Sequence, residues 1–126
     1  MDALYRLEAT IRSRRGADPS TSYVASLFAK GRPKIAQKVG EEAVETVIAA
    51  MVDPAKLVPE AADLVFHLLI LLAASGASLD DVRAELDRRE GLSGHDEKAA
   101  RSAAPLSLSG IAADDPAAPG LPIRLD

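Results

Sequence analysis

The sequence predicts an all-α fold, a bundle of four to five helices around a central antiparallel helix hairpin. Apolar residues make up 48% of the chain and aromatic residues only 3%, so the core must consist of Ala, Leu, Val and Ile. Apolar positions recur at helical spacing, and Asp, Ser, Pro and Gly stand where helices begin and end. With 126 residues, the chain is long enough for one domain with a core and too short for two.

Two helices are expected in the first 30 residues. Asp2 can cap a first helix in which Leu4, Leu7 and Ile11 recur at helical spacing, and the run SRRGADP ends it. A second, shorter helix is predicted over residues 22–29. Both helices present an apolar stripe that can cover a central hairpin.

The central hairpin is predicted from two longer helices. The first covers residues 33–52, with Pro33 at a position that suits the first helical turn. Asp53 as N-cap and Pro54 at the first position would open the second, which ends near residues 75–76. Pro59 lies inside that helix, so we expect a kink or a restart there.

The C-terminal third contains one clear helix and a change of composition. Ser78 and Asp81 form a capping-box pattern for a helix over residues 79–89, closed by Gly91. A short helix is predicted over 96–102, which ends the helical domain 1–102. Residues 103–126 hold four of the eight prolines, with no clear periodicity, and are expected to be a disordered tail.

Bulk properties exclude several classes of function. The formal net charge is −4 and no long Lys/Arg run is present, which argues against a nucleic-acid partner. The chain has no cysteine, so it cannot form a disulfide, a thiolate nucleophile or a cysteine zinc site. Charges interrupt the N-terminal apolar residues, unlike a signal peptide, and the apolar segment 64–74 falls short of the roughly 18 residues that span a bilayer. We therefore expect a cytoplasmic protein without a membrane partner.

Acidic residues flank the predicted hairpin on both sides. The first helix carries Glu42 and Glu45, with Glu41 beside them, and the second carries Glu60 and Asp63 three residues apart. Residues three apart share a helix face, and Glu45 and Glu60 stand at similar distances from the turn at residue 53. Four carboxylates would then meet, at a high electrostatic cost that a cation removes. Oxygen ligands without cysteine favour Mg²⁺, with Mn²⁺ possible; the alternative is a solvated acidic face.

Cationic and polar residues accompany the acids. Lys34 and Lys38 share a face with the glutamates, and Lys30 precedes the helix. Such lysines can hold phosphate oxygens beside a metal, as phosphoanhydride hydrolysis requires. His67 lies four residues after Asp63 and is expected to hydrogen bond a carboxylate rather than to act as a base. Gln37 and Tyr23 are further polar candidates.

Three stretches of the chain resemble one known family. They are AKGRPKIAQKVGEEAVETVIAA, EAADLVFHLLILLAASGASLDDVRAELDRREG and SGHDEKAARS, and they resemble the phosphoribosyl-ATP pyrophosphatases of histidine biosynthesis, within the all-α MazG-like NTP pyrophosphatase superfamily. The resemblance covers roughly residues 4–102. It implies Mg²⁺-dependent hydrolysis of 1-(5-phosphoribosyl)-ATP to 1-(5-phosphoribosyl)-AMP and pyrophosphate.

The resemblance also implies roles for individual residues. The superfamily pattern E-x-x-E, spacer, E-x-x-D makes Glu42, Glu45, Glu60 and Asp63 metal ligands, of which Glu42 or Glu45 would orient the attacking water, with Glu41 and His67 beside the ligands. The run K-G-x-x-K-I-x-Q-K-V-G-E-E adds a phosphate and ribose pocket made of Lys30, Gly31, Lys34, Gln37 and Lys38. Members of the superfamily pair their helices as homodimers, which would complete the bundle and bury the segment 64–74.

Two alternatives remain open at this point. A general (d)NTP pyrophosphohydrolase would share the metal chemistry and differ in its pocket, whereas a non-catalytic helical dimerisation module would leave the acids solvated. A di-iron carboxylate protein is a weaker option, because it prefers Glu-x-x-His pairs. Fusion to a cyclohydrolase with a cysteine zinc site is not expected, since the chain has no cysteine. Pro59, directly before Glu60, makes the position of Glu60 the feature that most needs a structure.

Overall fold

Five α-helices form the fold of residues 2–92, and their order follows the sequence prediction. The computed structural model describes residues 2–92 together with Lys98 and Arg101. The helices are α1 (Ala3–Ser13), α2 (Tyr23–Lys30), α3 (Arg32–Val52), α4 (Leu57–Ala74) and α5 (Leu79–Arg89), with a 3-10 turn at Pro54–Lys56. Residues 2–92 contain no strand, so the predicted all-α class is confirmed.

The C-terminal predictions fall almost entirely outside the described residues. Of the helix expected over 96–102, only Lys98 and Arg101 are described, and both are helical. The expected tail 103–126 lies outside the described residues, so the boundary at residue 102 stays a prediction.

Local capping explains where three of the helices begin. The Asp2 carboxylate accepts hydrogen bonds from the backbone N–H groups of Leu4 and Tyr5, at 3.0 and 3.1 Å. The Ser22 hydroxyl caps α2, and Ser78 and Asp81 form the predicted reciprocal capping box of α5. Each cap satisfies N–H groups that have no partner within the helix.

The turn between α3 and α4 differs from the prediction at Asp53. The Asp53 side chain makes no cap hydrogen bond, and Pro54 opens a 3-10 turn rather than α4. Helix α4 starts afresh at Leu57, so Pro59 lies in its first turn, where a backbone N–H has no intrahelical acceptor. Pro59 therefore costs no hydrogen bond, and Glu60 follows it on regular helix.

The core lies where α1 and α2 cover the α3–α4 hairpin. Its fully buried side chains come from all four of these helices, and they are Ile11, Leu27, Ile35 and Ile70. Leu79 extends the cluster to the start of α5. Burying such side chains supplies about 1.5 to 3 kcal/mol each, which fixes the hairpin as the scaffold of the fold.

The single chain already buries part of the segment that dimerisation was expected to bury. Leu69, Ile70 and Ala73 of α4 are buried within one chain, so these three need no partner, while burial of the rest of 64–74 by a dimer stays a prediction. Five large apolar side chains of α3 are exposed, and four of them follow a stripe at helical spacing that we call the α3 apolar face: Val44, Val47, Ile48 and Met51. Val58, Val65 and Leu68 of α4 are also exposed.

One segment has the length and composition of a membrane span. Pro54–Ala74 is 21 residues long and contains an 18-residue window with a mean hydropathy of 1.9, so it is longer than the stretch 64–74 considered from the sequence alone. A single helix of this kind is weak evidence, because core helices pass the same test. This one carries Glu60, Asp63 and the buried His67.

Candidate metal centre

Three carboxylates converge between α3 and α4. Glu42 projects from α3, and Glu60 and Asp63 project from the first two turns of α4. One oxygen from each lies within 4.8 Å of the others, an arrangement that can hold a metal ion. The hairpin brings them together because α4 begins close to the 3-10 turn and Pro59 leaves its first turns straight.

Glu45 is the fourth predicted ligand, but its side chain is exposed and lies outside the group of three converging oxygens. The negative charge of Glu45 nevertheless acts on both Glu42 and Glu60. Burial first, and then the hydrogen bond and charge of Glu45, raise the pKa of Glu42. Burial and the charge of Glu45 likewise raise the pKa of Glu60. Both shifts mean that the charged form of these carboxylates is disfavoured where no cation is bound.

Two oxygens of this cluster have no partner in the protein. Glu42 Oε2 and Glu60 Oε2 are buried and accept no hydrogen bond from any described residue. An unsatisfied buried acceptor costs about 1 to 3 kcal/mol, and more when it is charged. A cation bound by both oxygens would remove this cost, and an all-oxygen donor set suits Mg²⁺ or Mn²⁺. The residues present therefore fit a hard divalent ion.

The Thr46 hydroxyl links α3 to α4 beside the carboxylate cluster. Its Oγ1 lies 2.7 Å from the Glu42 carbonyl oxygen and 3.2 Å from the Glu60 carbonyl oxygen. One hydroxyl therefore links the backbones that carry two of the three converging acids. No sequence motif pointed to Thr46, although it stands directly after Glu45 on the same helix.

His67 is buried, but it does not bind a carboxylate as predicted. Its Nδ1 lies 2.8 Å from the Asp63 carbonyl oxygen, and its Nε2 lies 2.8 Å from the Tyr23 hydroxyl. A carbonyl oxygen only accepts, so Nδ1 carries a proton and donates to it, and Nε2 shares the second hydrogen bond with the Tyr23 hydroxyl. The Tyr23 ring is half exposed and stacks with Phe66 at 6.3 Å between centroids.

Glu41 is engaged with the cationic side of α3 rather than with the acid cluster. It accepts a hydrogen bond from Gln37 at 2.8 Å and pairs with Lys38 at 3.3 Å. The Gln37 hydrogen bond, followed by that of Lys38, lowers the pKa of Glu41. The hydrogen bond with Glu41 raises the pKa of Lys38, which also feels the charge of Glu42. Lys38 thus stays charged between Glu41 and the acid cluster.

The structure does not bring Lys30 and Gly31 to the carboxylates. Gly31 joins α2 to α3 as a single residue with φ of 95°, a conformation that favours glycine. Lys30 and Gly31 line a separate pocket of about 200 Å³, whereas Glu45 and Glu60 line another of about 340 Å³. Eleven residues separate Gly31 from Glu42, so the two sites are about 16 Å apart along α3.

A family model and close relatives match this chain over its helical part. The model for phosphoribosyl-ATP pyrophosphohydrolase matches residues 4–90. The chain belongs to the phosphoribosyl-ATP pyrophosphohydrolase family. This confirms the resemblance drawn from the sequence motifs.

Individual family members are similar over nearly their whole length. The phosphoribosyl-ATP pyrophosphatase of Erythrobacter litoralis is 69% identical over 102 residues, which are 80% of this chain and 98% of that protein. The phosphoribosyl-ATP pyrophosphatase of Rhizorhabdus wittichii is 70% identical over 99 residues, 78% of this chain and 93% of the relative. The phosphoribosyl-ATP pyrophosphatase of Rhodobacter capsulatus is 61% identical over 102 residues, which are 80% of this chain and 99% of that protein.

Proposed function

We propose that this chain hydrolyses 1-(5-phosphoribosyl)-ATP to 1-(5-phosphoribosyl)-AMP and pyrophosphate, the second step of histidine biosynthesis, with Mg²⁺ held by Glu42, Glu45, Glu60 and Asp63. The names of its close relatives give the substrate. The observation that carries the metal assignment is the pair of buried oxygens, Glu42 Oε2 and Glu60 Oε2, that have no partner among residues 2–92. Mn²⁺ would satisfy the same oxygens.

The acids hold the ion and position the water. When bound, Mg²⁺ supplies charge neutralisation on the phosphate oxygens as bonding to phosphorus changes. The Glu45 side chain is exposed and lines the 340 Å³ pocket together with Glu60. Glu45 therefore accepts the proton of the attacking water, the oxygen of which bonds to phosphorus while the anhydride bond breaks and pyrophosphate leaves.

The cationic side of α3 binds the polyphosphate. Lys38 lies between Glu41 and the acid cluster, and Lys34 is close enough to lower the pKa of Glu41 through its charge. Lysines at these positions can hold oxygens that the metal does not reach. Gln37 and Glu41 hold Lys38 in place, while His67 supports the Asp63 backbone.

The assay that tests this function is pyrophosphate release from phosphoribosyl-ATP beside a panel of NTPs and dNTPs. We expect rapid Mg²⁺-dependent release from phosphoribosyl-ATP and little from the panel. Glu45→Gln should lower the rate, and Glu90→Gln on the exposed end of α5 serves as the matched control. Comparable rates on ordinary dNTPs, with none on phosphoribosyl-ATP, would establish the general pyrophosphohydrolase instead.

A second copy of the chain is the proposed occupant of the α3 apolar face. Met51 is 80% exposed and Val47 is 63% exposed, an arrangement that a solvated helix would not favour. Ile48 lines the pocket beside Glu45, so a partner on this face would also shield the site from water. Light scattering should give the mass of a dimer, and Val47→Glu with Met51→Glu should give a monomer; an unchanged mass would remove this interface.

The remaining partner and compartment assignments follow from the same function. A cytoplasmic enzyme that binds a small nucleotide needs neither nucleic acid nor membrane, and the net charge of −4 offers no attraction to either polyanion. Fractionation of cells that express the full chain should recover it in the soluble fraction. Recovery in the membrane fraction would instead favour a membrane role for Pro54–Ala74.

A further inference from the structure

The pocket at the junction of α2 and α3 is strongly cationic. Eight residues line its volume of about 200 Å³; three are cations, namely Arg15, Lys30 and Arg32, and none is acidic. The whole chain has more acidic than basic residues, 19 against 15. The pocket is therefore positively charged although the chain as a whole is negative. Three positive charges around a small cavity attract an anion.

Arg15 is held in position at this pocket by contacts that leave its charge uncompensated. One of its guanidinium nitrogens donates to the Ala73 carbonyl oxygen at 2.9 Å, and its Cζ lies 5.3 Å from the centre of the Phe28 ring. These contacts fix the planar group while most of its N–H donors remain available. A fixed guanidinium with free donors suits the oxygens of a phosphate.

Lys30 adds a second charge from the last turn of α2. Neither Lys30 nor Arg15 forms an ion pair with a carboxylate anywhere in residues 2–92. Gly31, with no side chain, separates Lys30 from Arg32 and leaves the space between them open. The pocket thus combines two cations without acidic partners in the described part of the chain.

The pocket and the acid cluster lie along one face of α3. Ile35, which lines the pocket, is seven residues before Glu42, so the two positions are two turns apart, about 10 Å along the axis and within about 20° in direction. A substrate that spans both sites must carry a phosphate at each end. The proposed substrate does, because its phosphoribosyl group carries a 5′-phosphate that ATP itself lacks.

We infer that the Arg15–Lys30–Arg32 pocket binds the phosphomonoester of the phosphoribosyl group and so selects phosphoribosyl-ATP over ordinary nucleotides. The inference rests on the proposed function and extends it, since the acids and Lys38 would then hold the polyphosphate end. Arg15 and Arg32 are specificity-determining residues in this assignment. Neither was among the residues that the sequence motifs indicated.

Kinetics of charge-neutral variants test the assignment. Lys30→Gln and Arg15→Gln should each raise KM for phosphoribosyl-ATP by about tenfold or more, the order expected for a lost hydrogen bond to a charged group, with a smaller change in kcat. Arg14→Gln, an adjacent exposed arginine outside the pocket, should match the unmodified chain. Unchanged KM in both pocket variants would overturn the inference, and a lower melting temperature for Arg15→Gln without a KM effect would mark that residue as structural only.

Direct binding separates this inference from the proposed function. Ribose 5-phosphate, titrated in the presence of Mg²⁺, should shift the amide resonances of Gly31 and Arg32, and Lys30→Gln should abolish these shifts; ribose should have no effect. If the chain failed to hydrolyse phosphoribosyl-ATP, the proposed function would fall while this titration still reported on the pocket. Shifts confined to the carboxylate cluster, or Gly31 shifts produced by pyrophosphate and not by ribose 5-phosphate, would contradict the assignment.

Discussion

Glu42 and Glu85 are the same residue type in opposite environments. Glu85 on α5 is partly exposed and accepts hydrogen bonds from Arg88 at 2.8 and 3.0 Å and from Arg89 at 3.1 Å. These arginines lower its pKa to about 2. Glu42 is 8% exposed and shares its surroundings with Glu45, Glu60 and Asp63, so its pKa is raised.

The difference shows that the protein neutralises the negative charge of Glu85 with its own arginines but does not neutralise that of Glu42 in this way. The charge of Glu85 is neutralised by neighbours on its own helix, three and four residues away. The charge of Glu42 has no comparable cation on the opposite helix, and its Oε2 accepts no hydrogen bond from the described residues. The salt bridges of Glu85 are complete within the chain, whereas the α3–α4 cluster leaves two buried oxygens without a partner in residues 2–92, where the proposed cation would bind.

The largest expected effect is on catalysis. Glu42→Gln should lower kcat/KM for phosphoribosyl-ATP by about 100-fold or more, since a metal ligand contributes several kcal/mol to the transition state. Glu85→Gln should change it by less than about twofold, because surface charges remote from the site have little influence. Steady-state rates of pyrophosphate release measure both. Equal losses of kcat/KM in the two variants would show that Glu42 is no more important for catalysis than the surface residue Glu85.

The next effect is on the stability of the metal-free chain, and it has opposite signs in the two regions. Glu42→Gln should raise the melting temperature in EDTA at pH 8, because it removes a buried charge without a partner. Glu85→Gln should lower it slightly, because it removes an ion pair. Thermal unfolding followed by circular dichroism provides the measurement. A destabilised Glu42→Gln chain would show that the carboxylate is compensated without a metal.

The pH dependence of stability should also differ between Glu85 on α5 and the acid cluster between α3 and α4. The pKa of Glu85 is depressed from 4.5 to about 2, so its stabilising contribution is present above pH 4.5 and is lost as pH falls toward 2. The pKa values of Glu42 and Glu60 are raised, so their contribution is present below pH 4.5 and is lost as pH rises through the raised values. Melting temperatures in EDTA should therefore fall at both ends of a pH series.

Addition of Mg²⁺ should remove only the loss on the alkaline side. The ion binds the deprotonated carboxylates, so it stabilises the charged form of the cluster and leaves α5 unaffected. An alkaline loss of stability that persists at saturating Mg²⁺ would contradict the assignment of the cluster as a metal site.

A smaller effect is expected at Tyr23. Tyr23→Phe keeps the ring against Phe66 and removes the hydroxyl bound to His67, so the free energy of unfolding should drop by about 1 kcal/mol. Tyr5→Phe is the matched control, since it removes a hydroxyl that binds the exposed Asp80. Urea unfolding compares the two variants. Equal stability of Tyr23→Phe and the unmodified chain would mean that the His67 ring is satisfied in another way.

The features that the sequence predicted depend on short-range rules. The caps at Asp2, Ser22 and Ser78 involve residues two or three positions apart, so local patterns identify them. Counting residues on either side of one turn predicted the convergence of Glu42, Glu60 and Asp63, although Glu45 lies outside the group. Helical spacing and composition were enough for both.

The features that the sequence did not predict depend on distant residues or on backbone atoms. Tyr23 and His67 are 44 residues apart, and the other partner of His67 is a carbonyl oxygen, which no side-chain pattern reveals. The restart of α4 after Pro54–Lys56 depends on how the hairpin closes, so Asp53 was wrongly assigned as a cap. Arg15 reaches its pocket only because α1 ends against the last turn of α4.

Calorimetric titration of the metal-free chain with Mg²⁺ tests the central claim most directly. The unmodified chain and Glu85→Gln should bind Mg²⁺ saturably, with the same affinity and stoichiometry, and release protons as the carboxylates ionise. Glu42→Gln and Asp63→Asn should each weaken that binding by at least about tenfold. Binding of equal strength in all four chains would contradict the assignment of the α3–α4 carboxylates as the magnesium site.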